Sequence, residues 1–399
     1  MKILYINSVY GFGSTGKIVA TLASNPNYDS LVCYGRNKNN VDTENSYRFA
    51  NFLDNSVAAL STIIFDNNLN LCTKATKKLI NKIKEYGPDI IHLHNLHGYY
   101  LNVELLFNFL KEYKKPVVWT LHDCWPFTGY CMYFDLPECN KFETKCENCP
   151  KKLIYPFSIF KQQVFRDFNR KEELFNSLEN LTIVTPSEWL KKQVSKSFLK
   201  NIKIKVINNG ITLPKDKKTS NSRKKGKLSV LAVANYWTEE KGVNELKKII
   251  PLLDKNIQIT IVGELKDKDS VFKGCTLINR TENYSQLEEI YFKNDLFINP
   301  TLSDNYPTVN IEALAHGLPI VTYNTGGSPE IIDESTGIVV NKYDYKEFAS
   351  VINKLCYDNS FVKNNCIERS KLYSLENMID KYNKLYYGVI SRNISEVSQ

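Results

Sequence analysis

No apolar run in this chain approaches the roughly 20 residues that a membrane-spanning helix needs. The longest one, around Ser56–Phe65, reads as a buried helix. The amino terminus, MKILYINSVY, has no cleavable leader pattern and reads as a first strand, so a cytoplasmic protein is expected. There is no internal repeat, and no nucleic-acid module accompanies the basic residues, so nucleic acid is not an expected partner. A P-loop is also missing: Gly11–Lys17 comes close, but Ile18 stands where Ser or Thr would hold magnesium.

What is present points to two α/β domains. At 399 residues the chain exceeds the size at which one core keeps growing. Its 43% apolar and 24% charged residues fit a soluble globular protein. Strand-like segments at Ile3–Ser8, Ser30–Tyr34, Ile90–His94, Val117–Leu121, Thr182–Thr185 and Lys205–Ile207 alternate with helical ones. A polar run at Lys215–Lys227 interrupts them. Strands then resume at Ser229–Ala234, Gln258–Val262, Thr276–Ile278, Leu296–Asn299, Ile320–Tyr323 and Gly337–Val340. Such alternation predicts two parallel, doubly wound sheets with ligands at the carboxyl ends of the strands, in a cleft between the domains. An amphipathic helix is expected from Leu375 onward.

The net charge of +9 is concentrated. Residues 151–227 carry 19 Lys and Arg against 6 Asp and Glu, interleaved with Tyr155, Phe157, Phe160, Phe165, Phe168, Trp189, Leu190, Phe198 and Leu199. That mix suits an anionic membrane surface, and it equally suits a solvated lysine face over aromatic core.

The stretch 296–334, LFINPTLSDNYPTVNIEALAHGLPIVTYNTGGSPEIIDE, says most about function. A strand ends in a loop carrying Asp304, a helix follows with Glu312 in its early turns, and the next strand ends in Thr325-Gly326-Gly327. Ser328 reads as an N-cap with Pro329 behind it. Helix starts offer unpaired N–H donors, glycines allow close approach, and carboxylates accept from sugar hydroxyls. Two carboxylates with seven residues between them, an Ala-rich helix and a Gly-Gly-x-Pro-Glu turn resemble the donor site of retaining family-four glycosyltransferases of the GT-B fold.

That resemblance implies a GT-B architecture, two Rossmann-like domains facing across a cleft. The expected division is residues 1–212 on the acceptor side, with a Cys-rich insertion at 124–150, then 213–374 on the donor side. Residues 375–399 would form a helix crossing back to the first domain. It implies transfer of a sugar, with retention and without a catalytic metal, from a nucleoside diphosphate-sugar to a hydroxyl. The acceptor would be a glycan or lipid-linked saccharide, in capsule, O-antigen or exopolysaccharide synthesis. Glu312 would bind ribose hydroxyls, and Asp304 would meet the donor sugar with Asn305 beside it. Lys241, in ANYWTEEKG, and the N–H groups of Thr325, Gly326 and Gly327 would hold the diphosphate. An arginine usual near Asn235 or Tyr236 is absent. His122, in VWTLHD, would contact the donor sugar, and His94 and Asp123 lie at the strand ends on the acceptor side. Gly13, Gly16 and Lys17 would face the diphosphate and acceptor from the first loop, and the segment 151–227 would dock on the inner membrane face.

Two other readings stay open at this level. Gly11–Gly16 matches the dinucleotide fingerprint, and Arg36 could serve a phosphate, which together describe an NAD(P)-dependent oxidoreductase. A non-catalytic sugar-nucleotide-binding scaffold is the other. Separately, Cys131, Cys139, Cys146 and Cys149 fall in one short segment of a chain expected to be cytosolic, which favours a structural zinc site over disulfides.

Overall fold

The structure is a computed structural model that describes residues 1–36, 43–65, 69–150, 164–215, 226–266, 269–358 and 360–397. It divides into two compact units, one of residues 1–208 and 379–399 and one of residues 209–378.

The sheet of the first unit contains β1 (Lys2–Asn7), β2 (Asp29–Tyr34), β3 (Ser46–Arg48), β4 (Ile90–Leu93), β5 (Val117–Thr120), β6 (Leu181–Thr185) and β7 (Lys203–Val206). All pairs are parallel, in the order β3-β2-β1-β4-β5-β6-β7. Ile3 through Ile6 are each fully buried, as expected of a central strand covered on both faces by crossover helices. Successive strands leave on opposite sides of β1, so a crevice opens between the ends of β1 and β4.

The second unit repeats the plan with β8 (Leu228–Tyr236), β9 (Ile257–Glu264), β10 (Thr276–Ile278), β11 (Leu296–Asn299), β12 (Ile320–Tyr323) and β13 (Gly337–Val340). Its parallel order is β10-β9-β8-β11-β12-β13, which puts the corresponding switch between β8 and β11. The last helix, Leu375–Val397, belongs to the first unit from Ile379 on. There Tyr382 and Tyr386 are buried, bonding to Thr120 at 2.9 Å and to His92 at 2.8 Å.

β3 is not among the expected strands and forms as an edge beside β2. Two expectations need correction. Ser56–Phe65 lies within a helix, Phe52–Phe65, that is buried at Ala58 and Thr62 but exposed at Val57 and Leu60, at 67% and 57%. In the basic segment, residues 151–163 and 216–225 lie outside the described residues. Of the apolar residues interleaved in the remainder, Phe168, Leu190 and Leu199 are buried, and Trp189 and Phe198 pack against the core. Those side chains belong to the core of the first unit or pack on it, Phe165 is exposed, and Tyr155, Phe157 and Phe160 lie outside the described residues. Among the described residues no helix is long and apolar enough to cross a membrane.

Candidate functional site

At the switch point of the second unit, the loops after β8 and β11 are stitched together. The Glu240 carbonyl accepts from the Leu302 N–H at 2.8 Å, the Ser303 N–H at 3.2 Å and the Thr301 hydroxyl at 2.9 Å. Gly242 makes the approach possible: its φ is +81°, and a Cβ there would lie 2.0 Å from the Pro300 carbonyl oxygen. Held this way, Lys241 Nζ donates to Asp304 Oδ2 at 2.6 Å, and the other oxygen of Asp304 accepts from the Tyr306 N–H at 3.1 Å. The pair is partly enclosed, with 37% of the lysine side chain and 14% of the aspartate side chain exposed.

The turn after β12 closes onto the same loop. Gly326, at φ +56°, leaves no room for a side chain, since its Cβ would sit 1.6 Å from the Asp304 carbonyl oxygen. Of the three N–H groups expected to hold phosphate, Thr325 donates to Tyr323 at 2.8 Å and Gly327 to the Asp304 carbonyl at 3.4 Å. The N-cap position is Gly327 and not Ser328, which is the first helical residue with Pro329 second. The Ser328 hydroxyl is therefore spared from capping. It and the Thr325 hydroxyl are buried without a hydrogen-bond partner among the described residues. Buried unpaired hydroxyls are uncommon and call for an explanation. Asn305, beside Asp304, is also buried.

Glu312 lies on the helix Thr308–Ala315, and its Oε2 accepts from the Tyr291 hydroxyl at 3.1 Å. Burial, then the nearby Glu312 charge, pushes the Tyr291 pKa well up, so the phenol stays protonated and remains the donor. The Tyr291 ring stacks on His316 at 4.7 Å, and His316 Nδ1 lies 2.7 Å from the Glu312 carbonyl oxygen. Tyr291 escaped the sequence reading because a lone tyrosine on an amphipathic helix looks like core.

The first unit presents different chemistry at its switch point. His94, just past β4, and His122, just past β5, meet at 2.9 Å between Nδ1 and Nε2 with their rings stacked. His92 lies behind them, its ring centroid 4.2 Å from that of His94. Burial pulls the His122 pKa down to about 4 and those of His92 and His94 well below the usual value. These rings are neutral at physiological pH and act as hydrogen-bonding groups. Asp123 pairs with His97 at 2.7 Å and accepts from the Trp125 N–H at 3.0 Å. Burial works to raise its pKa, and His97 and the N–H outweigh that effect, so it stays ionised. His97 is a further residue the sequence reading missed.

In the loop after β1, Gly11 donates to the Gly16 carbonyl at 3.1 Å. Gly13 has φ +65°, a Cβ at Gly16 would press on Val9, and Lys17 is exposed. A structural zinc site finds no support: among the described residues no group of three or more His, Cys, Asp or Glu could hold a metal ion, and Cys131, Cys139, Cys146 and Cys149 form no disulfide. Burial raises the Cys146 pKa to about 11. What fills that region is Lys171, fully buried, giving its ammonium to the carbonyls of Trp125, Thr128 and Gly129 at 2.8, 3.1 and 3.1 Å.

Known proteins resemble this chain in sequence and fold. Residues 227–358 match the family model described as glycosyl transferases group 1, and residues 55–214 match that of glycosyltransferase family 4. A protein of Escherichia coli K12 named for colanic acid biosynthesis glycosyl transfer, WcaC, is 24% identical over 76% of this chain and 77% of its own. The capsular polysaccharide biosynthesis glycosyltransferase CapM of Staphylococcus aureus is 29% identical over 45% of this chain and 53% of its own. Among solved structures, Anabaena HepE in complex with UDP has a TM-score of 0.66 at 15% identity, covering 97% of this chain and all of that one. The lipopolysaccharide outer core galactosyltransferase WaaB has a TM-score of 0.66 at 13% identity, covering 97% and 99%. These matches favour a glycosyltransferase over an oxidoreductase, and with the two parallel sheets they place the chain among the family-four-like glycosyltransferases of the GT-B fold.

Proposed function

We propose that this enzyme transfers a sugar, with retention of anomeric configuration, from a nucleoside diphosphate-sugar to a hydroxyl of a lipid-linked or glycan acceptor in cell-surface polysaccharide synthesis. The observation that carries the reading is the Lys241–Asp304 pair, 2.6 Å apart beneath the Gly326 turn at the switch point of the second sheet. An ammonium has three donors, so Lys241 can keep Asp304 and still meet a diphosphate oxygen. The buried Thr325 and Ser328 hydroxyls gain partners when phosphate oxygens arrive. Glu312, steadied by Tyr291, accepts from the ribose hydroxyls.

As the glycosidic bond to phosphate breaks, negative charge grows on the departing diphosphate. Lys241 and the Gly326 N–H stabilise it, so the reaction needs no catalytic metal for that charge. The neutral His94–His122 pair and Asp123 serve sugar or acceptor hydroxyls as hydrogen-bond partners. Catalysis is then mainly positioning and leaving-group stabilisation. The names of WcaC and CapM support a role in polysaccharide assembly, and the UDP complexes of HepE support a nucleotide-sugar donor.

Thermal melting with UDP, GDP and ADP, on wild type and Glu312→Ala, tests the donor site. A ligand that binds only the native state raises the melting temperature. One nucleoside diphosphate should do so in wild type and lose its effect in the variant. An equal shift in both proteins, or none in wild type, overturns this assignment.

A further inference from the structure

One core helix of the first unit carries a charge where an apolar residue belongs. The helix Val164–Asn176 turns Val164, Phe168, Lys171, Leu174 and Phe175 inward and leaves Arg166, Glu172 and Glu173 exposed. Helical periodicity thus puts Lys171 in the apolar stripe, where its side chain is fully buried. A buried ammonium is costly unless its donors are met. This one has three donors and three acceptors, the carbonyls of Trp125, Thr128 and Gly129. A neutral amine has two hydrogens, so only the charged form satisfies all three. Burial pulls the Lys171 pKa down, and the Asp167 carboxylate, buried one turn earlier, opposes this. The Lys171 nitrogen also sits 3.7 Å from the centroid of the Trp125 ring.

All three carbonyls belong to the loop after β5, the loop that carries Asp123. Gly129 lets it run against the helix, since a Cβ there would lie 2.4 Å from the Val164 side chain. Trp125 is held and holds in turn: its carbonyl accepts from Lys171, and its N–H donates to Asp123 Oδ1 at 3.0 Å. The other oxygen of Asp123 accepts from His97 Nε2 at 2.7 Å. His97 comes from the loop after β4, where Gly98 and Tyr99 have φ of +118° and +63°. A tyrosine rarely adopts such an angle and keeps it only where its surroundings hold it. Two loops from neighbouring strands therefore meet at one carboxylate. Of the His97 and Asp123 side chains, 13% and 9% remain exposed.

We propose that Lys171 and His97 are positioning residues for Asp123, the buried ammonium acting through Trp125 and the imidazole directly, so that the exposed edge of the carboxylate meets one sugar hydroxyl of the acceptor. A carboxylate offers about four acceptor sites, and these two bonds leave it able to accept from a hydroxyl. Fixing both oxygens sets the direction of that bond, which is what selecting one hydroxyl among several on a sugar requires. The proposal rests on the transferase reading in one respect, that Asp123 serves an acceptor hydroxyl.

Nuclear magnetic resonance of the histidine rings tests it without any acceptor. The chain has five histidines, so the His97 ring signal is identified by its loss in His97→Gln. Lys171→Gln should move that signal in the direction that Asp123→Asn does, and should add nothing to the move in the double variant. Phe168→Ala, on the same helix but packed against Phe198, should lower the melting temperature and leave the signal in place. A signal unmoved in Lys171→Gln, or moved as far in Phe168→Ala, overturns the proposal. If Lys171→Gln does not fold, Lys171→Arg decides. Its donors are spread over a planar fork and cannot all meet three carbonyls gathered at one point, so an unmoved signal there overturns the proposal too. Label from UDP-, GDP- or ADP-glucose incorporated into membranes of the source cells should fall about tenfold or more in Lys171→Gln. The melting shift with the matching nucleoside diphosphate should equal that of wild type. Unchanged incorporation, or a lost melting shift, overturns the proposal. No incorporation by wild type would break the transferase reading and leave the histidine signal to decide this one.

Discussion

The two sheets share one strand order around their switch points, β3-β2-β1-β4-β5-β6 in the first unit and β10-β9-β8-β11-β12-β13 in the second, yet the residues gathered there differ in kind. In the second unit an ion pair, a glycine turn and two buried hydroxyls without partners converge. In the first, stacked neutral histidines do. The fold determines where a ligand can approach, and the loops decide what chemistry it meets. The largest expected effect tests that division. Lys241→Met removes the countercharge for diphosphate and leaves Asp304 unpaired in a partly enclosed site, which for charge pairs of this kind costs several kcal/mol. The donor kcat/KM should fall about a thousandfold, roughly 4 kcal/mol, in steady-state assays. A nucleotide melting shift that survives unchanged in this variant would break the comparison.

A second test acts on the first unit. The unfolded chain protonates each histidine near its ordinary value of 6.5, whereas the folded His122 does so at about 4 and His92 and His94 are displaced the same way. Between those values the unfolded state binds more protons, so stability falls as pH drops from 6.5 towards 4. His122 alone contributes at most about 3 kcal/mol, less to the extent that its partly exposed edge is screened by solvent. Melting temperature measured across this range should decline steeply in wild type and less steeply in His122→Asn. Matching slopes would show that the histidine corner is not what makes the fold acid-sensitive.

Much of this division is legible in the sequence because it rests on local rules. The parallel strands announce themselves as short apolar runs, and β10 through β13 have the expected bounds. Asp304 and Gly326 stand out only in combination with Glu312 and the glycine turn, and Lys241 through the family resemblance, because singly each has an ordinary structural use. Long-range packing is less visible. Ser56–Phe65 looks like core because hydropathy counts apolar residues without knowing which face has a partner, yet Val57 and Leu60 are exposed. Phe168, Leu190 and Leu199 look interfacial because lysines flank them, although they are buried. The cysteines suggested zinc by spacing alone, while the residue that bonds to the neighbouring carbonyls is Lys171, distant from them in sequence. Pairings such as His97 with Asp123 depend on loops whose course no periodicity records.

The smallest expected effect sharpens the comparison most finely. Tyr291 is fully buried and has no route to a ligand of its own, so any influence on the donor must pass through Glu312. Its hydroxyl occupies one carboxylate oxygen, and its ring stacks on His316, whose Nδ1 lies 2.7 Å from the Glu312 carbonyl oxygen. Tyr291→Phe keeps the ring and its packing while removing the hydrogen bond to a charged acceptor, worth about 1.5–3 kcal/mol. Part of that appears as lost stability and part as a carboxylate free to turn from the ribose. The expected result is about a tenfold rise in donor KM with kcat nearly unchanged, because ribose is held equally before and during transfer. A purely structural tyrosine would lower the melting temperature without moving KM. A fall in kcat at constant KM would instead place Glu312 in the transfer step itself, and the second unit's site would then do more than hold the nucleotide.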